Sequence, residues 1–313
     1  MNKRHIMLGA NLTAITLSLV LIATYLAHWV WFFELISHFR IQILVGLLAT
    51  AIILLLGQQW QTASASLFII LLSVIPLIPF YFSSTAVGAA QNNNSYRLMA
   101  LNVYFHSTAY DDVLALIDQT NPDIIILSEF TDAWRDGLRS LTIDYPYTHY
   151  VADDWYGQMI YSRIPFVAGS LDYLADEKRP SVVATLDMEG VHLTVVGVHA
   201  MPPVSPDHAR QRNQKLDSLA QFTQAQTNPV LIVGDLNITP WSPILRQFLI
   251  EANLGDARRG YGLAPTWPAQ RPIIGIPIDY ILVPPTLKIQ NFQRGPYVGS
   301  DHYPIMADFS LAE

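Results

Sequence analysis

VGDLNITP, residues 233–240, is the stretch on which the reading of this chain turns. The apolar run from Pro229 passes through Gly234 straight into Asp235, and Asn237 follows after one intervening leucine. On a strand, alternate side chains share a face, so Asp235 and Asn237 leave the end of an apolar strand together. A charge in such a place is costly unless it is paired or used.

Working outward, the same arrangement recurs. Apolar runs bounded by Gly, Pro and Asp predict strands over residues 97–105, 123–130, 157–162, 181–188, 192–200, 229–237, 278–284 and 302–311. Helices are expected over 111–120, where apolar residues follow a 3.6 period, and over 205–226, with Ser205 as N-cap and Pro206 at the first helical position. Asn102 lies in the first of these strands, Glu129 and His199 end two others, Asp279 lies in IPIDYILV, and Asp301 and His302 lie in GSDHYPI. A lone Asp or His at a strand end is most simply a turn cap. Such groups at the ends of several different strands point to convergence on one site.

LNV (101–103), LSEF (127–130), GQMIYSRIPF (157–166), VGVHA (196–200), VGDLNITP, IDYILV (278–283) and GSDHYPI (299–305), in this order, resemble the endonuclease/exonuclease/phosphatase superfamily. That superfamily includes pancreatic deoxyribonuclease, apurinic endonucleases, neutral sphingomyelinases and inositol polyphosphate 5-phosphatases. The resemblance covers residues 96 to 313. It implies a four-layer α/β sandwich, two mixed sheets face to face between helices, with a cleft at one end. It also implies phosphoester hydrolysis by in-line attack of an activated water, with Mg²⁺ or Mn²⁺ as cofactor.

Under that resemblance Glu129 is the first metal ligand, and Asn102 and Asp301 complete or orient its shell, which suits a hard cation that takes oxygen donors. Asp235 positions or deprotonates the attacking water, and Asn237 donates its amide to the phosphate. Asp279 accepts from one nitrogen of His302 and leaves the other for substrate or water. Whether Asp235 or His302 is the base stays open. His199 places the chain with the deoxyribonuclease, sphingomyelinase and 5-phosphatase branches, stabilising phosphate or the leaving oxygen. Arg179 matches a position where some relatives hold phosphate with a guanidinium; a solvated arginine in DEKRP is the plain alternative.

The amino-terminal part is different. Of 313 residues 51% are hydrophobic and 14% charged, too apolar for a wholly soluble protein. No acidic or basic residue occurs between Arg4 and Glu34, or between Arg40 and Arg97. Three membrane spans are expected, at 6–33, 41–56 and 64–82, the last bent or shortened by Pro76 and Pro79, with two spans as the alternative. This divides the chain into an anchor (1–83), a small polar linker (84–95) and a catalytic domain (96–313). Hydrophobic segments of such extent argue against a cleaved leader. Lys3 and Arg4 favour a cytoplasmic amino terminus, with Arg40 arguing weakly the other way. Three crossings then put the catalytic domain on the extracytoplasmic side of an inner membrane. There is no cysteine, so neither disulfides nor thiol chemistry bears on the compartment.

Beyond the anchor 15 basic and 24 acidic residues remain, a balance of −9 with no basic run. That is poor equipment for tight duplex binding. An anchor presents the cleft to lipid headgroups, so the expected substrate is a lipid or small phosphoester, with an extracytoplasmic nuclease as the alternative. An inactive, membrane-tethered binding module is a third reading, and retention of every motif residue argues against it. No protein partner is evident.

Overall fold

The computed structural model describes residues 3–82, 95–167, 172–174 and 179–311. Two six-stranded mixed sheets form the body of the carboxyl-terminal part. The first contains β1 (Tyr96–Asn102), β2 (Ile124–Ser128), β3 (Tyr147–Val151), β4 (Gln158–Ser162), β11 (Leu287–Arg294) and β12 (Ile305–Leu311), in the order β11-β12-β1-β2-β4-β3. The second contains β5 (Asp172–Leu174), β6 (Ser181–Met188), β7 (Val191–His199), β8 (Val230–Asp235), β9 (Gly255–Asp256) and β10 (Asp279–Val283), in the order β5-β6-β7-β8-β10-β9.

Period-2 alternation assigns each strand an inner and an outer row. Leu98, Ala100, Ile126, Val195, Leu231, Val233, Ile281 and Ile305 meet in the layer between the sheets. The outer row of the first sheet packs on α6 (Tyr110–Thr120) and α7 (Asp132–Gly137), with Trp134 fully buried there. Val196, Val198 and Ile232 face α8 (Pro206–Ala225) and α9 (Pro243–Glu251). Helix, sheet, sheet, helix is the expected four-layer α/β sandwich.

Helix α8 starts as its sequence predicts, the Ser205 hydroxyl accepting from the His208 N–H. Strands β3 and β11 and helices α7 and α9 lie outside the predicted elements. β3 and β11 flank the first sheet as edge strands and are only partly buried, so their apolar alternation is weak.

The amino-terminal segment folds as α1 (Lys3–Ala23), α2 (Trp31–Ser37), α3 (Arg40–Leu56), α4 (Trp60–Val74) and α5 (Ile78–Tyr81). Helices α1, α3 and α4 pack on one another. Two stretches, Lys3–Leu26 and Trp60–Tyr81, are long and apolar enough to cross a membrane, and α2 with α3, bent by 67°, makes a third if counted as one span. The single helix expected over 6–33 is broken: α1 ends at Ala23 and a new helix starts at Trp31. The break turns Glu34 into the protein interior, where its charge finds a partner. Arg40 is buried as well, its guanidinium donating to the Thr24 hydroxyl at 2.9 Å.

The segment expected to be a linker, 84–95, lies outside the described residues except for Ser95. The amino-terminal helices are docked on the sandwich: Gly260 and Gly262 donate main-chain hydrogen bonds to Pro79 and Phe80, and Gln42 donates to the Gly275 carbonyl.

Candidate active site

In β1, β7, β8 and β10 the inner row that carries the core ends in a polar residue. Asn102 continues the row of Leu98 and Ala100, His199 that of Leu193 and Val195, and Asp235 that of Leu231 and Val233; Asp279 precedes Ile281 in the same row. Parallel pairing sets His199 beside Asp235, and antiparallel pairing sets Asp279 opposite Asp235. All four are buried. Gly234 makes this end possible, since its φ is +134° and a Cβ there would collide with the Val198 carbonyl.

Glu129 does not follow the alternation. It comes one residue after β2 with φ +57°, a conformation uncommon outside glycine that turns its carboxylate back toward Asn102. Tyr104, at φ +60°, and Asn237, at φ +49°, are in the same region, so three loops at this rim hold strained backbone.

The Asn102 amide joins the two sheets. Its Nδ2 donates to Glu129 Oε1 at 2.9 Å and lies 3.5 Å from both Asp235 Oδ2 and His302 Nε2. Its Oδ1 accepts from the Tyr104 N–H, which fixes the amide's orientation. Glu129 Oε2 accepts from the Phe105 N–H. Asp235 is held by Asn237, whose main-chain N–H donates to Oδ1 at 2.8 Å and whose Nδ2 donates to Oδ2 at 3.2 Å and to the Ala200 carbonyl at 3.0 Å. Asn237 therefore orients the carboxylate, and giving a hydrogen to a phosphate would require releasing one of these acceptors.

His302 Nδ1 is 2.8 Å from Asp279 Oδ2, and its Nε2 is 3.7 Å from Asp235 Oδ2. Burial alone would lower the His302 pKa, but Asp279, followed by Asp235 and Asp301, raises it to about 10. His199 moves the other way: burial, then the charges of Arg179 and His302, hold its pKa well below the usual value and keep it neutral. Its Nε2 is 3.5 Å from Asp235 and 3.8 Å from Glu129, and the ring lies 5.3 Å from that of Tyr156. Arg179 is buried with its guanidinium 3.6 Å from the center of the same Tyr156 ring. The plain alternative of a solvated arginine is therefore not what the fold produces.

Glu129 and Asp235 both have raised pKa values, in each case chiefly through burial. Asp301 accepts from the Trp267 indole at 3.1 Å through Oδ2, while its Oδ1 is buried without a hydrogen-bond partner among the described residues. Four carboxylates, Glu129, Asp235, Asp279 and Asp301, thus crowd around His302. A divalent cation fits this set: it would relieve the carboxylate repulsion and take the open oxygen of Asp301. Among the described residues, ligand atoms of Asp235, Asp279 and His302 lie within 4.8 Å of one another. In this group Asp279 and His302 already face each other in a hydrogen bond, and on the other side of the site the Asn102 amide likewise turns its Nδ2 to Glu129.

Every residue singled out in the sequence reaches this rim. Ser300 and Arg212 were not singled out. Ser300 donates to the Asn102 carbonyl at 2.6 Å and accepts from the His302 N–H, fastening the His302 loop to β1. Ser300 is the first residue of the SDH run, which was the available signal for it; nothing in the local sequence marks Arg212.

Comparison with known proteins agrees with the geometry. Residues 99–302 match the model of the Endonuclease/Exonuclease/phosphatase family. Humanized TDP2 from D. rerio, carrying 14 mutations, superposes with a TM-score of 0.59 at 16% identity, covering 69% of this chain and 99% of that one. An endonuclease/exonuclease/phosphatase from Beutenbergia cavernae gives 0.57 at 20% identity over 70% and 72% of the two chains. The 3′ phosphatase NExo from Neisseria, bound to product DNA hairpin, gives 0.56 at 20% identity over 69% and 99%. No curated protein matches. Strand order, the row of polar strand ends and a family match over most of the chain lead to one assignment: this chain belongs to the Endonuclease/Exonuclease/phosphatase family.

Proposed function

We propose that the protein is a membrane-tethered, divalent-metal-dependent phosphoester hydrolase, acting on a phosphodiester by in-line attack of an activated water. The observation that carries this reading is the meeting of Glu129, Asp235 and His302 around the Asn102 amide.

In this reading Glu129, Asn102 and Asp301 hold Mg²⁺ or Mn²⁺. A cation held there would polarise the phosphoryl oxygens and offset charge that accumulates in the transition state. Asp235, fixed by two donors from Asn237, aligns the water and takes its proton; its raised pKa suits a base. His302, oriented by Asp279, presents Nε2 to the phosphate as a cationic donor. Neutral His199 gives a hydrogen to the leaving oxygen, and Arg179 beside it holds a phosphoryl oxygen.

The anchor's packing supports a bilayer environment. Leu8, Leu12, Leu19, Phe68 and Leu71 point outward while Ala14, Ala51, Ala63 and Ser66 are buried between the helices, an arrangement suited to lipid. With α1, α3 and α4 each crossing and Lys3 and Arg4 inside, the catalytic domain stands on the extracytoplasmic face. A lipid headgroup is the favoured substrate. Ile273 is 93% exposed in the loop whose Gly275 carbonyl is held by Gln42 at the start of α3, so this loop lies at the anchor's edge. The base of the same loop carries Trp267, which holds Asp301.

One feature favours nucleic acid as a second reading: Trp155, an exposed residue, stacks on Phe105 at 5.2 Å, and the Phe105 N–H binds Glu129. Such a shelf can take a base. Full-length protein in detergent should release nitrophenol from bis(p-nitrophenyl) phosphate only with a divalent metal. Labelled phospholipid and plasmid DNA, given in parallel, then choose the substrate. A flat trace in every metal rejects the hydrolase, and nicking without lipid turnover rejects the lipid reading.

A further inference from the structure

A carboxylate in an apolar anchor is expensive to bury, and Glu34 is the only acidic residue before β1. It is nevertheless 1% exposed. Its Oε2 accepts from Arg212 Nη2 at 2.6 Å, across 178 positions of sequence, and Arg212 is fully buried too. Arg212 stands on the inward face of α8. Its Nε and Nη2 donate to Asn213 Oδ1, and its Nη1 donates to the main-chain carbonyl of Asn237 at 3.3 Å. The Asn237 carbonyl belongs to the left-handed residue whose N–H and amide grip Asp235.

Two further bonds attach the same turn to α2. The Trp241 indole donates to the Ser37 carbonyl at 2.6 Å, and the Ser242 hydroxyl donates to Glu34 Oε1 at 3.3 Å. Residues 237–242, which follow β8, are thus backed by a helix of the anchor.

We propose that Glu34 is a positioning residue for the catalytic site, holding the Asp235 carboxylate in place through Arg212 and the Asn237 main chain. The anchor is then a structural component of the active site as well as a tether. This rests on the hydrolase reading for its kinetic test and on geometry alone for its structural one. Neutralising Glu34 leaves Arg212 an uncompensated buried cation, which turns the guanidinium away from Asn237 or loosens the 237–242 turn. Neither change touches the groups that bind the substrate phosphate. The effect therefore falls on turnover rather than on substrate affinity.

The test uses the full chain in detergent, with bis(p-nitrophenyl) phosphate and Mn²⁺. Glu34→Gln should lower kcat by roughly 10- to 100-fold, the scale of a misplaced catalytic group, while KM stays within about twofold. Glu34→Gln together with Arg212→Met removes both buried charges; it should recover the thermal stability of the unaltered protein and keep the low kcat, because Asn237 still lacks its donor. Hydrogen exchange supplies a readout independent of turnover: the amides of residues 235–242 should exchange faster in both variants. A double variant that is stable and turns over at the unaltered rate would overturn the proposal, as would unaltered exchange in 235–242. If the unaltered protein hydrolyses nothing, the hydrolase reading fails and the exchange measurement alone decides the role of Glu34.

Discussion

Asp279 Oδ2 lies 2.8 Å from His302 Nδ1, and both groups are buried. One carboxylate therefore determines which face of the imidazole is left for chemistry. Asp279→Asn keeps the shape and removes the anion, so kcat should fall by about 100-fold or more with little change in KM. His302→Ala should cost at least as much, and the double variant little beyond it, because the two act as a unit. Additive losses in steady-state kinetics would show that they act separately.

The same pair gives the metal-free protein a pH signature. The folded-state pKa of His302, about 10, is above its ordinary 6.5. A raised histidine stabilises the fold fully below its unfolded pKa, and that contribution is lost as pH climbs through the folded value. In chelator, the melting temperature of the unaltered protein should decline between pH 6.5 and 10 more steeply than that of His302→Gln. Parallel curves would contradict the assignment.

Metal should bind the folded chain and protect it. Titration with Mn²⁺ or Mg²⁺ should raise the melting temperature, with about 2.7 kcal/mol of stabilisation once the ion is a hundredfold above its Kd. Glu129→Ala should remove most of this response while Arg179→Ala retains it. Calorimetry that finds equal metal affinity in Glu129→Ala and the unaltered chain would move the ion to the Asp235, Asp279 and His302 group.

Gly234→Ala places a Cβ against the Val198 carbonyl at a φ of +134°. The expected loss of stability is about 2–4 kcal/mol, read by denaturant unfolding of the detergent-solubilised protein.

Ile273→Asp tests the lipid reading. Turnover of phospholipid in vesicles should fall several-fold while turnover of bis(p-nitrophenyl) phosphate is unchanged. An equal effect on both substrates, or on neither, would remove the loop from any role at the membrane surface.

Much of the site was legible because four of its residues occupy the ends of inner rows. Asn102, His199, Asp235 and Asp279 continue an apolar alternation that can be counted in one dimension. Glu129 breaks the alternation through its backbone turn at φ +57°, so its place at a strand end and its motif LSEF marked it while the inner row did not. Glu34 and Arg212 were out of reach, since their pairing depends on how α2 packs against α8, and neither residue has a local pattern. The break in the first apolar block was missed for the same reason: hydropathy reports that a segment suits lipid and says nothing of a partner awaiting its one carboxylate. Edge strands β3 and β11 were missed because partial burial erases the alternation by which strands are recognised.

Main-chain bonds from Gly260 and Gly262 to Pro79 and Phe80 seat the sandwich directly on the last turns of the amino-terminal helices. A body mounted so closely cannot swing on a leash; with these helices in a bilayer, as proposed, its mouth would keep a constant height and tilt above that surface. Molecules drifting sideways in that surface would all meet the opening in the same pose, and selection would then depend on how far a headgroup stands up from its neighbours.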